Sequence, residues 1–135
     1  MKRQVPDGTS VGGIFMESGN PARDKSFKFA VRIVKFSKWM KEERKDFELA
    51  SQLLRSGTSI GANVEEAQSA QSKKDFLHKN HIAFKEANET IYWLKLLKEA
   101  KIITNEQADS LLSDALELKK LLASITKTTR ENLKK

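Results

Sequence analysis

From residue 25 to the C-terminus, apolar residues return every three or four positions, the period of a helix with one buried face. The first such stretch, 25–43, carries two neighbouring stripes. Phe27, Ala30/Val31, Val34, Ser37 and Lys41 trace one, and Phe29, Ile33, Phe36 and Met40 the other. That arc is wider than a single bundle seam needs. The second stretch, 46–70, places Leu49, Leu53, Ile60, Val64 and Ala67 on one side, but its middle, Ser56 to Asn63, is small and polar. Each glycine there costs a helix about 1 kcal/mol relative to alanine. The spacing therefore predicts that a neighbouring helix approaches closest at Gly57 and Gly61. A third stretch, 73–101, opens on the capping pattern Ser72-Lys73-Lys74-Asp75 and runs through Phe76, Ala83, Ala87, Ile91, Leu94 and Leu97. A fourth, 105–131, opens on Thr104-Asn105-Glu106-Gln107 and continues through Ala108, Leu111, Ala115, Leu118, Leu122 and Ile125.

Between Asp24 and Lys135 there is no proline to interrupt these helices. No run alternates β-branched and polar residues as a strand would. Helices of roughly 30–45 Å joined by a few residues must run antiparallel to their neighbours. The expected fold is all-α: an up-down-up-down four-helix bundle over 24–135. Residues 1–23 hold four of the six glycines and both prolines, and read as a flexible tail. Six rings, Phe29, Phe36, Trp39, Phe84, Tyr92 and Trp93, are more than one bundle of this size is expected to bury. They are taken as candidates for an interface between copies of the chain.

Composition narrows the chemistry. With no cysteine, disulfides and thiolate metal sites are excluded. No stretch has the length of a signal core or a membrane span, so a cytoplasmic location is expected and a membrane partner is not. The net charge of +7 is uneven: residues 25–44 carry seven basic against two acidic groups. Lys25, Lys28, Arg32 and Lys35 are spaced 3, 4 and 3, one stripe along the first helix. Antiparallel packing brings the start of that helix to the end of the fourth, where Lys119, Lys120, Lys127, Arg130, Lys134 and Lys135 lie. Such a positive end attracts phosphate backbones without reading bases. The alternative is a solvated face whose lysines complement the dipole at the C-terminus of the fourth helix.

Two motifs carry a family resemblance. Arg55-Ser56-Gly57-Thr58-Ser59-Ile60-Gly61-Ala62-Asn63-Val64-Glu65-Glu66-Ala67 resembles the R-S-x-x-S-I-x-x-N-I-x-E-G signature of the bacterial four helix bundle proteins, also called the 23S rRNA intervening-sequence protein family. Ile82-Ala83-Phe84-Lys85-Glu86-Ala87-Asn88-Glu89-Thr90-Ile91-Tyr92-Trp93-Leu94-Lys95-Leu96-Leu97 is similar to its third-helix motif, with Glu89 at the characteristic glutamate, and Asp24 to Ala30 resemble its opening. Ala67 stands where many relatives have glycine, and residues 1–15 lie outside the resemblance. The resemblance implies a homopentameric barrel, association with RNA or DNA, and no catalytic activity. Through a related branch it also implies a partner protein such as a reverse transcriptase.

Arg55, Ser59, Asn63 and Glu66 line one face of the second helix at helical spacing, with Ser56 on an adjoining row. Glu86 and Glu89 on the third helix are placed to meet them. A polar substrate site is one reading. The other, carried forward, is a structural network in which Arg55 pairs with a glutamate and Asn63 bonds across the seam. A serine nucleophile needs an activating base, and neither histidine is placed to serve. His78 and His81 offer two metal ligands with no third histidine or cysteine, so neither metal nor cofactor is expected. The function expected is that of a non-enzymatic, self-associating protein that binds nucleic-acid backbone. A protein-interaction scaffold is the alternative, and an enzyme using the Arg55 to Glu66 face comes last.

Overall fold

Asn20 starts the first helix by turning its side chain back on the chain. Its Oδ1 accepts from the Arg23 N–H at 3.1 Å, and Pro21 takes the first helical position, where a missing N–H costs nothing. The computed structural model describes residues 5–8 and 17–135. Helix α1 spans Pro21–Trp39 and widens into a π turn, Met40–Arg44, that ends at Lys45 with φ 55°. Helices α2 (Phe47–Ala67), α3 (Lys73–Glu99) and α4 (Asn105–Leu133) follow. Asp46 caps α2 at the Leu49 N–H, 3.3 Å. At α3, Ser72 accepts from Asp75 N at 3.0 Å. At α4 both halves of the capping box form, Gln107 N to Thr104 Oγ1 at 3.1 Å and Thr104 N to Gln107 Oε1 at 2.8 Å.

The four helices run up-down-up-down, as the spacing predicts, and no strand occurs among the described residues. Among those residues, no helix is long and apolar enough to cross a membrane. Successive helices pack closely, whereas α1 and α4 approach along little of their length. The closest packing falls where the glycines anticipate it. A Cβ on Gly57 would lie 2.8 Å from Ile33, and one on Gly61 3.2 Å from the Ser26 carbonyl oxygen. Leu53, Ile60, Ala83, Ala87, Leu94, Leu97, Ala115 and Leu122 fill the centre and are fully buried.

Three of the six proposed interface rings belong to this core instead. Phe29, Phe36 and Trp39 are buried within the single chain, with Phe36 and Trp39 in ring contact at 5.5 Å. The cause is the wide α1/α4 separation: rings are long enough to fill it, and smaller residues are not. Phe84 and Trp93 are half-buried, and Tyr92 is 58% exposed. The neighbouring stripe on α1 faces outward, with Phe27 and Val34 about half exposed, as is Phe47 at the start of α2.

In the segment expected to be a free tail, residues 5–8 lie against the bundle. Val5 packs on the core, and the Asp7 carbonyl accepts from Arg32 Nε at 2.6 Å. Residues 1–4 and 9–16 of that expected tail lie outside the described residues.

Candidate nucleic-acid interface

The basic stripe of α1 is answered from within the chain. Lys25 pairs with Glu117, and Lys28 with Glu17 at 3.4 Å. Arg32 is buried: Nη1 meets Asp114 Oδ2 at 2.6 Å, Nη2 the Ser110 hydroxyl at 2.8 Å, and Nε the Asp7 carbonyl. With the Ser110 carbonyl also accepting from Nη1, four of the five N–H donors are matched inside the chain, and so buried a guanidinium is closed to a phosphate, which rules Arg32 out as a nucleic-acid contact. Lys35 is exposed, and it too interacts within the chain.

Lys119, Lys120, Lys127 and Arg130 differ. None forms an ion pair among the described residues, and all but half-buried Lys119 are exposed. The cross-helix pairs set their height. Lys25 with Glu117 and Arg32 with Asp114 bring the start of α1 level with about residues 121–125 of α4. Lys79 with Glu66 brings the end of α2 level with the second turn of α3. The first turns of α3 and the last turns of α4 therefore run past the ends of α1 and α2, by roughly two turns or about 10 Å. On this two-helix prong stand Lys127 and Arg130, with Lys74 and His78 beside them.

A second basic stripe, on α3, is marked in the sequence by its spacing. Lys74, His78, His81 and Lys85 are spaced 4, 3 and 4, so they share one face, and none is acidic. The register follows from Lys98, which pairs with Asp109 at 2.7 Å. Thirteen residues earlier on α3 is Lys85, and thirteen later on α4 is Leu122. Lys85 thus stands near the height of Lys119 and Lys120, and His81 near that of Lys127. The His81 ring stacks on Phe84, centroids 6.1 Å apart. Among the described residues no three histidine or acidic side chains converge as a metal site.

The motif residues of α2 split into separate contacts. Arg55 holds both Glu89 and, at 3.4 Å, Glu86. The hydrogen bond from Arg55 keeps Glu89 below the usual carboxylate range, while desolvation and then the charge of Glu89 push Glu86 up. The bond to Glu89 also raises Arg55. Among the described residues, Trp93 Nε1 is buried without a partner at hydrogen-bonding geometry, yet it lies near enough to Glu89 to help keep that carboxylate ionised. The Ser56 and Thr90 hydroxyls meet at 3.0 Å across the α2/α3 seam. Asn63, expected to cross that seam, does not: its Nδ2 donates to the Ser59 carbonyl one turn back at 2.8 Å. Ser59 likewise donates to Arg55 O at 2.6 Å, and Glu66 pairs with Lys79 rather than joining Arg55. In a helix, a short polar side chain finds the carbonyl one turn back before it finds a neighbour.

Comparison with known proteins places this architecture. A family model described as 23S rRNA-intervening sequence protein matches residues 20–124. Among solved structures, the chain is similar to a protein of unknown function from the S23 ribosomal protein family of Bacteroides thetaiotaomicron VPI-5482. The two are 55% identical, the match covers 78% of this chain and 98% of that one, and the TM-score is 0.77. No curated protein matches the chain.

Proposed function

The chain belongs to the 23S rRNA-intervening sequence protein family, and we propose that it is a non-enzymatic, self-associating protein that holds the phosphate backbone of RNA or DNA against its α3/α4 prong. The observation that carries this reading is the gathering there of cations with no ion-pair partner among the described residues. Lys127 and Arg130 of α4 stand on the prong with Lys74 of α3, Lys120 and Lys85 follow below it, none of them ion-paired among the described residues, and Glu131 is the one side-chain carboxylate between Lys119 and Lys135. Cations already paired in the folded chain gain little from a phosphate, whereas unpaired ones release counterions on contact. The family's name, with its reference to ribosomal RNA, supports the same direction.

Self-association supports the reading through repetition, since a ring of copies repeats each prong. The apolar surface for it is the exposed stripe Phe27, Val34 and Phe47 on α1 and α2, with Tyr92 and Leu96 on α3 and Leu116 on α4 offering a second face. Phe29, Phe36 and Trp39 have no part in it.

Filter retention of generic RNA and DNA at two salt concentrations tests the proposal. Contact with four phosphates loses about a hundredfold in affinity between 50 and 200 mM salt. The triple variant Lys120→Glu, Lys127→Glu, Arg130→Glu is expected to abolish retention at low salt, while Lys25→Gln leaves it in place because Lys25 already has Glu117. If neither nucleic acid is retained at low salt, the reading fails and a protein-interaction scaffold takes its place.

A further inference from the structure

The α1/α4 seam is the loosest in the bundle, and the structure shows what covers it. With that cover in place, a cavity of about 220 Å³ is left beneath it, lined by Arg32 and Phe36 of α1 and by Glu106, Gln107, Ser110 and Leu111 of α4. Val5, Pro6 and Asp7 form its remaining wall. Three features of that short segment fit the groove. Val5 supplies an apolar side chain to the core, and the Asp7 carbonyl supplies an acceptor that Arg32 Nε uses at 2.6 Å. Gly8 is buried with φ +70°, and a Cβ there would stand 2.7 Å from the Arg32 Cα, a backbone atom that cannot step aside. Gly19 gives the contrast: its φ is +80°, yet nothing lies within 4 Å of the position a Cβ would take. At Gly8 the contact as well as the backbone angle demands glycine.

We propose that the α1/α4 seam is a groove for an extended apolar-X-X-glycine segment, held in this chain by its own residues 5–8 as a releasable strap. The reach is sufficient for the same chain. Gly8 sits on Arg32 and Glu17 pairs with Lys28, sites about 6 Å apart along α1. The eight residues between Gly8 and Glu17 span up to roughly 26–29 Å. The recognition is specific because each element of the segment has its own answer: the core for the valine, a buried guanidinium for the carbonyl, and a bare backbone face for the glycine. Tethering gives so short a ligand the high effective concentration it needs, and a free segment of the same chemistry must compete against it. The groove lies toward the start of α4 and the prong at its end, so the strap and the proposed nucleic-acid contact stand or fall separately.

The absence of cysteine makes the test direct. In the full chain, Pro6→Cys with Gln107→Cys gives the only two thiols, both on the groove wall. A short bis-maleimide is expected to join them within one chain, seen as a compacted monomer on denaturing electrophoresis. Adding Gly8→Val should slow that reaction about tenfold, since a β-branched residue resists the left-handed angle and meets Arg32, while Gly19→Ala leaves the rate unchanged. A synthetic peptide of residues 1–10 at millimolar concentration should slow it too, and the same peptide with Gly8→Val should not. Crosslinks between copies would overturn the assignment to the same chain. No crosslink, or a rate indifferent to Gly8→Val, would overturn the strap. Indifference to the peptide would overturn the groove as a binding site.

Discussion

Helix α1 leans on two neighbours by opposite means. Against α2 it comes so close that Gly57 and Gly61 are needed to admit it, and backbone and aliphatic atoms meet directly. Against α4 it stands off, and the gap is filled by Phe29 and Phe36 and by a guanidinium with its partners. A close seam excludes atoms, so its sequence is restricted to small residues. A wide seam requires them, and here it takes polar chemistry into the interior along with the rings. Overpacking should break the first, and an orphaned charge the second.

The wide seam should give the largest effect. Asp114→Ala leaves Arg32 buried with only a hydroxyl and carbonyls, and is expected to cost roughly 2–3 kcal/mol, below the full buried-pair figure because Asp114 itself is partly exposed. Arg32→Met should cost less, because it leaves a half-exposed carboxylate rather than a buried cation. Urea unfolding of the two variants checks the order, and a reversed order would mean that the seam is held by packing alone. Next comes the close seam. Gly57→Ala is expected to cost about 1–2 kcal/mol net, the crowding of Ile33 outweighing the gain in helix propensity. Gly61→Ala, whose Cβ lies 3.2 Å from its nearest neighbour, should cost less.

The smallest effect lies in the α2/α3 seam, which uses small residues and charges together. Glu86, raised, takes up its proton in the folded chain before the unfolded one does, so its influence on stability improves as pH falls through that raised value. Glu89, lowered, contributes stability above the ordinary glutamate range and loses it as pH falls through the depressed value. At pH 7, Glu89→Gln is therefore expected to cost about 1 kcal/mol, discounted for solvent, and Glu86→Gln to be neutral or slightly stabilising. Melting temperature against pH for both variants checks the signs, and equal losses would mean that Arg55 treats the two carboxylates alike.

The fold was largely legible because its signals are local. Thr104 and Gln107 cap each other within four residues, and glycines inside a helix announce a close neighbour wherever that neighbour comes from. The site was less legible because its deciding partners are distant. Nothing near Arg32 distinguishes it from Lys28 or Lys35; Asp114, 82 residues on, does. The two apolar stripes of α1 have the same spacing, and only the distance to α4 decides that Phe29 and Phe36 turn inward while Phe27 and Val34 do not. The π turn at Met40–Arg44 has no sequence mark, since its residues are good helix formers and Lys45 takes a left-handed angle without being glycine. The α3 stripe of Lys74 to Lys85 was visible in its spacing, but its meaning needed the register with α4.

The prong has a dynamic consequence. Its turns rest on a single seam, where the rest of the bundle rests on several, and its like charges repel. Backbone amides near Lys74 and Lys127 should therefore exchange with deuterium faster than those near Leu94 or Ala115. A polyanion laid across it would neutralise the repulsion and slow that exchange first at the tip, so occupancy would be recorded as local quietening rather than as a change of shape.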